Sequence, residues 1–242
     1  MLQVLSKEIN SFLNSLIAYI VISVFLTGIG LLMWVFPETS VLDYGYANME
    51  TVFALGPYVF MFLIPAITMR LFAEEKRAGT LELLLTKPLT DWQIILGKYL
   101  SGVVLVIFAL LPTLIYYYSI YQLGSPVGNI DTAGVMGSYV GLVLLGCVFT
   151  AIGVFASMIS TNQIVSFIIA VFLSFILYSG LESVAAIDVW GRFSLFFEQM
   201  GLAFHYRAMS KGLLDTRNIV HFFSWIAVML MFTKLLLVSR RW

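Results

Sequence analysis

The residues able to carry chemistry are few and poorly placed for it. His205 and His221 are the only histidines and Cys147 the only cysteine, and neither histidine belongs to a His-Glu-x-x-His pattern that would hold zinc on one helical face. Ser179-Gly180 lacks the Gly-x-Ser-x-Gly setting of a nucleophile elbow. Gly97-Lys98 comes nearest to a phosphate-binding loop, but it lacks the upstream glycine of Gly-x-x-x-x-Gly-Lys-Ser/Thr and is followed by Tyr99. These absences predict a chain with no catalytic residues, no metal and no bound cofactor of its own, and a lone cysteine cannot form an internal disulfide. Charge gathers instead between Arg70 and Lys98, in RLFAEEKRAGTLELLLTKPLTDWQIILGK. There Leu81, Leu83, Leu84 and Leu85 alternate with charges over a span too short to make its own core. Such leucines need a surface to cover, so the chemistry predicted here is docking.

What surrounds this stretch is apolar. Hydrophobic residues make up 61% of the 242 and charged residues 11%, against about 25% charged in an ordinary soluble domain; mean hydropathy is +0.98. Six long apolar runs follow one another, at about 15–36, 52–72, 99–121, 135–159, 164–181 and 219–238, each near the ~20 helical residues needed to cross a bilayer. Residues 1–242 therefore read as one all-α integral membrane domain with six transmembrane helices, leaving no room for a separate soluble enzyme. The formal charge is zero and no long basic run occurs, which excludes a nucleic-acid footprint. The first run is longer than a secretory signal core and no small-residue cleavage pattern follows it, so it is predicted to be a retained anchor.

The basic residues orient the runs. Lys7, Arg70, Lys76, Arg77, Lys87, Lys98, Lys234, Arg240 and Arg241, nine of the thirteen Lys and Arg, share one side if both termini lie there. The positive-inside rule makes that side cytoplasmic. Arg192, Arg207, Lys211 and Arg217 fall on the other side.

The connections carry their own signals. Residues 1–14 place Leu2, Leu5, Ile9, Phe12 and Leu13 at helical spacing against a polar face of Lys7, Glu8, Asn10 and Asn14, the pattern of a helix lying in the membrane interface. In the loop 73–98, Gly79 is predicted to break a first short helix, Thr80 to cap a second, Pro88 to end it, and Thr90 or Asp91 to cap the next crossing. Pro57, Pro65 and Pro112 are candidate kinks. Gly137 and Gly141 form a Gly-x-x-x-Gly pair, favouring helix packing inside the bundle over a contact between subunits. The segment 182–218, with Trp190, Phe193, Leu195, Phe196, Phe197, Met200, Leu202 and Phe204, is too apolar for a solvated loop. It is predicted to fold back as short outer re-entrant helices.

At these residues the chain resembles the permease subunits of ABC-2-type transporters. The resemblance lies in the acidic pair Glu74-Glu75, the core Gly79-Thr80-Leu81-Glu82-Leu83-Leu84, Pro88 and Gly97-Lys98, together with Gly212-Leu213-Leu214-Asp215-Thr216-Arg217-Asn218-Ile219 before the last crossing. Within the family it is most similar to the gliding-motility-associated permease subunit; permeases of nitrous-oxide-reductase maturation share the same segments. The resemblance implies an inner-membrane exporter permease with a cytoplasmic coupling helix, a second permease subunit as homodimer or heterodimer, and a cytoplasmic ABC ATPase that holds ATP and magnesium. It also implies an extracytoplasmic auxiliary subunit, with membrane lipid around the whole. On that picture Leu81, Leu83, Leu84 and Leu85 fill an ATPase groove, while Glu74, Glu75, Arg77 and Glu82 set its register. The work is then export, the driving of a surface machine, or purely mechanical transmission to an outer partner.

Overall fold

The computed structural model describes residues 1–43, 45–186, 194–213 and 215–239. Among these no residue lies in a strand, and six helices are long and apolar enough to cross a membrane. Each overlaps its predicted run, the largest difference being in the third, which begins at Asp91 instead of about residue 99.

In chain order, α1 (Leu2–Leu13) and α2 (Leu16–Trp34) lead into α3 (Glu50–Thr68), α4 (Arg70–Arg77) and α5 (Thr80–Leu85). Next come α6 (Asp91–Leu110) and α7 (Leu114–Leu123), then α8 (Thr132–Ile159), α9 (Gln163–Phe175) and α10 (Leu181–Ala185). The chain closes with α11 (Ser194–Met200), α12 (Leu202–Ser210) and α13 (Thr216–Ser239). A 3-10 turn at Leu111–Thr113 separates α6 from α7. Pro112 lies in it, where a residue without an N–H cannot continue the α-helical ladder. Between α9 and α10 the chain makes a π-helical turn, Ile176–Gly180.

The axis of the bundle is α8, which packs against α3, α6, α9, α12 and α13. Its small residues permit this crowding, since backbones approach closely only where no side chain intervenes. A Cβ on Gly137 would lie 2.7 Å from the Met209 carbonyl oxygen, and one on Gly141 would lie 3.2 Å from the Tyr206 ring. The Gly-x-x-x-Gly face is thus taken by α12 of the same chain. By contrast α2, α9 and α13 sit at the periphery, with Val24, Ile168, Phe172 and Phe223 exposed.

At the end opposite α4–α5, α11 and α12 form the short helices foreseen for 182–218. Trp190, Arg192, Phe193 and Leu214, like Arg240 and Arg241, lie outside the described residues. The burial pattern differs from the expected aromatic face. Leu195 and Phe196 are exposed, whereas Leu202, Ala203, Tyr206 and Met209 are buried. The seating comes from shape and from polar contacts: the Tyr206 hydroxyl donates to the Phe53 carbonyl at 2.7 Å and the Ser138 hydroxyl to the Ser210 carbonyl at 3.1 Å.

Gly137→Ala should therefore destabilise the folded permease by about 1–3 kcal/mol, the usual cost of overpacking against an unyielding neighbour. Gly28→Ala, with no atom within 4 Å of the new methyl, should leave thermal unfolding in detergent unchanged or slightly raised. Equal melting of the two variants would contradict the packing described.

Candidate functional site

The charged segment is a projecting stub. The rod from α3 through α4, Glu50–Arg77, has 28 residues, or about 42 Å at 1.5 Å per residue, against a hydrocarbon thickness of about 30 Å. The rod is thus longer than the apolar layer is thick. The chain then reverses at Ala78-Gly79, where Gly79 takes φ +68°, a left-handed conformation that glycine adopts at no steric cost. Gly79 is also the N-cap of α5, and Thr80 is the first helical residue, its hydroxyl donating to the Glu75 carbonyl at 3.4 Å. Thr80 is thus not the predicted cap. A capping box does start α6: the Thr90 side chain accepts from Gln93 N at 3.3 Å and the Gln93 side chain accepts from Thr90 N at 3.1 Å.

The stub sorts its residues into two sets. Glu74, Arg77, Gly79, Thr80, Glu82, Leu83 and Pro88 are exposed. Leu81 is buried, and Leu84 and Leu85 are half-buried against the core. This narrows the predicted docking surface to one free apolar anchor, Leu83, at 65% exposure, with Glu74, Arg77 and Glu82 exposed on the same stub. Leu81 turns inward because α5 folds back along α4 and needs its own inner face covered.

Glu75 is also spent inside the chain, which corrects its expected role in setting register. It joins Lys7, Glu8 and Lys98 in one charge cluster. Lys98 is fully buried; its Nζ lies 2.7 Å from Glu8 Oε1 and 2.9 Å from Glu75 Oε2, and it also donates to the Leu71 carbonyl. Lys7 closes the ring at 2.5 Å from Glu75 Oε1 and 3.5 Å from Glu8 Oε1. Two lysines and two glutamates cancel, so a charge that would be costly to bury alone is held in a neutral set. Burial pulls the Lys7 ammonium down, but the Glu75 and Glu8 carboxylates outweigh it and its pKa is raised from the ordinary 10.5. Lys7 therefore stays charged through neutral pH, and its contribution fades only as pH climbs through that raised value.

The cluster joins three elements distant in sequence. Glu8 belongs to α1, Glu75 to α4 and Lys98 to α6. The face that α1 turns inward is Val4, Glu8 and Phe12, with Val4 and Phe12 buried, so Glu8 is not on the expected polar outer face. Leu2, expected on the apolar face, is exposed. Gly97 lets α1 lie close, since a Cβ there would meet Val4 Cβ at 3.1 Å and the Met1 carbonyl oxygen at 3.3 Å. Further contacts fasten the same end. Arg70 stands over the Phe12 ring at 4.9 Å, and Lys76 donates to the Met158 carbonyl at the last turn of α8. A cation is favourable at that helix end.

The two histidines first weighed for catalysis lie side by side on α12 and α13. His205 and His221 stack with ring centroids 4.0 Å apart. His221 Nε2 accepts from Trp225 at 3.1 Å, and His205 contacts Asn218 Oδ1 at 2.7 Å. Among the described residues no group of three or more His, Cys, Asp or Glu is arranged to hold a metal.

Lys98→Met leaves Glu8 and Glu75 with Lys7 as one cation between two carboxylates, and should cost about 3–5 kcal/mol. Adding Glu8→Gln and Glu75→Gln should recover most of the loss, because the uncompensated charges go with it. Thermal unfolding of the single and triple variants in detergent reads this directly. An unperturbed Lys98→Met protein would show that the cluster bears no such weight.

Comparison with known proteins agrees with the all-helical bundle of six long apolar helices. No curated protein matches the chain. The model of a family described as ABC-2 family transporter protein matches residues 38–238, from the connection after α2 to the end of α13. The family is a transport membrane component and implies a partner ATPase. This multi-pass membrane protein belongs to the ABC-2 transporter family, as the permease subunit of an ABC transporter.

Proposed function

We propose that the chain is the membrane half of an ATP-driven exporter of the inner membrane, with both termini and the α4–α5 stub in the cytoplasm. It works as a dimer, and a separate ATPase seats on the stub. The observation that carries this reading is the stub itself, which exposes one leucine among charges and is tied by Glu75, Lys98 and Glu8 into the membrane helices. An ATPase that moves α5 must drag α4, which is nearly continuous with α3. Through the charge cluster it drags α6 and α1 as well. The stub is thus built as a coupling helix rather than as a lipid-dipping loop.

Two further parts of the proposal have separate support. The peripheral α2 and α9, each largely uncovered, offer apolar faces broad enough for a second permease subunit. The resemblance at residues 70–98 and 212–219 supports the gliding-motility-associated type, in which transport or shape change serves a surface machine and an extracytoplasmic partner.

Leu83→Asp should cut the ATPase recovered per inserted permease at least tenfold. It removes about 1.5–3 kcal/mol of apolar burial and forces a carboxylate into the groove. Glu82→Gln should change recovery by no more than about threefold, since a rim charge tunes encounter more than affinity. Full retention with Leu83→Asp would refute the coupling assignment.

Sidedness has its own check. In a Cys147→Ala background, a membrane-impermeant thiol reagent added outside should label Asn129→Cys and miss Thr80→Cys, both exposed positions. The opposite pattern would reverse the orientation.

A further inference from the structure

At the end away from the stub lies a cavity of 560 Å³ between α3, α8, the π-helical turn and α12, within the usual size of a small-molecule site. Its wall is graded in chemistry. Glu50 on the first turn of α3, Asp131 at the N-cap of α8 and Lys211 at the C-cap of α12 line it where the helices end. Tyr58, eight residues or about 12 Å further along α3, meets Tyr178 edge-on at 5.7 Å between ring centroids. Tyr178 in turn meets Tyr206 at 6.3 Å. Tyr178 belongs to the π-helical turn, a widening of the helix that often marks functional sites.

Most polar groups here are already engaged. The Tyr206 hydroxyl is committed to the Phe53 carbonyl, Arg207 is paired with Glu182 at 2.7 Å, and Asp131 Oδ1 accepts from Gly134 N at 3.0 Å. The buried Asn48 Nδ2, also in the lining, has no hydrogen-bond partner, and three charged groups are left without an ion pair. Lys211 and Glu50 have no ion-pair partner within 4 Å among the described residues, and neither does Asp131, which keeps its formal charge while capping. One cation on α12 and two anions on α3 and at the start of α8 therefore line one cavity.

From this we infer that the cavity binds a zwitterionic amphiphile. Its anionic group meets Lys211, its cationic group meets Glu50 and Asp131, and its apolar part lies on the tyrosines. A purely anionic or purely cationic head would match one sign of charge in the lining and be repelled by the other. The tyrosines suit the junction of head and chain, because each ring pairs an apolar face with a hydroxyl. The inference rests on the exporter reading for its purpose, as a seat for the molecule moved or sensed at the outer surface. The binding itself does not need an ATPase.

The full-length permease, purified without ATPase in an uncharged maltoside detergent, is labelled with a single-chain alkylphosphocholine bearing a photoactivatable diazirine. Label is expected on the peptides containing Tyr58 and Tyr178. Unlabelled alkylphosphocholine should compete at least tenfold better than alkyltrimethylammonium or alkyl sulfate of equal chain length. Lys211→Gln and Glu50→Gln should each lower labelling about fivefold or more while leaving the gel-filtration profile intact. Leu83→Asp should leave labelling unchanged, so failure of the coupling assignment and failure of this site are told apart. Equal competition by all three amphiphiles, or label confined to the outward faces of α2 and α9, would overturn the proposal.

Discussion

A buried ammonium is the constraint around which one end of this molecule is built. Lys98 has no solvent contact, so its charge must be matched by groups brought to it. The two carboxylates that do this come from α1 and α4. Because removing any one partner leaves an uncompensated charge, the three helices cannot separate by small steps. Apolar packing tolerates sliding, whereas an ion cluster with contacts under 3 Å does not. Gly97 serves the same end by letting the backbone of α1 come close enough for Glu8 to reach.

The rest of the bundle distributes rigidity along one line. Along its length α8 carries small residues where α3, α6 and α12 approach, and its C-terminus receives Lys76 from the stub. The rod α3–α4 runs beside it from Glu50 at the cavity to Arg77 at the stub. One nearly continuous element therefore borders both places where this chain is proposed to meet something else. The peripheral α2 and α9 take no part in that line, and they are the helices left uncovered for lipid or a second subunit.

Much of the fold was legible because membrane physics leaves few choices. A bilayer needs about 20 apolar residues per crossing, and the six runs announce themselves. Thr90, Pro112 and Gly79 acted near where local chemistry placed them, with Thr80 displaced by one position from its expected capping role. The charge cluster was not legible, since Glu8 and Lys98 are 90 positions apart and nothing local links them. A signal did exist: Lys98 shares the helical stripe of Ile94, Ser101 and Leu105, all buried. A charge on a buried stripe demands a partner. Hydrophobic content alone also could not tell Leu81 from Leu83, because both are leucines in an amphipathic stretch and only the fold-back of α5 chooses which faces inward. The cavity was hidden for a related reason, its charged rim coming from loops and helix ends that read in sequence as ordinary solvated positions.

One consequence of a single exposed anchor bears on how the proposed complex holds together. Burying Leu83 contributes about 1.5–3 kcal/mol, while a micromolar complex requires about 8 kcal/mol. The flanking Glu74, Arg77 and Glu82 are solvated, and exposed ion pairs add only about 0–1 kcal/mol each. One stub alone thus makes a weak contact. Two stubs presented together by a permease dimer make the second contact intramolecular, and linkage of that kind raises avidity by about 10²–10⁴ without a new contact. That gain requires the two stubs to keep a fixed spacing and angle. A stub free to swing would lose it, and the buried Lys98 cluster is the feature that holds each stub to the membrane helices in one direction.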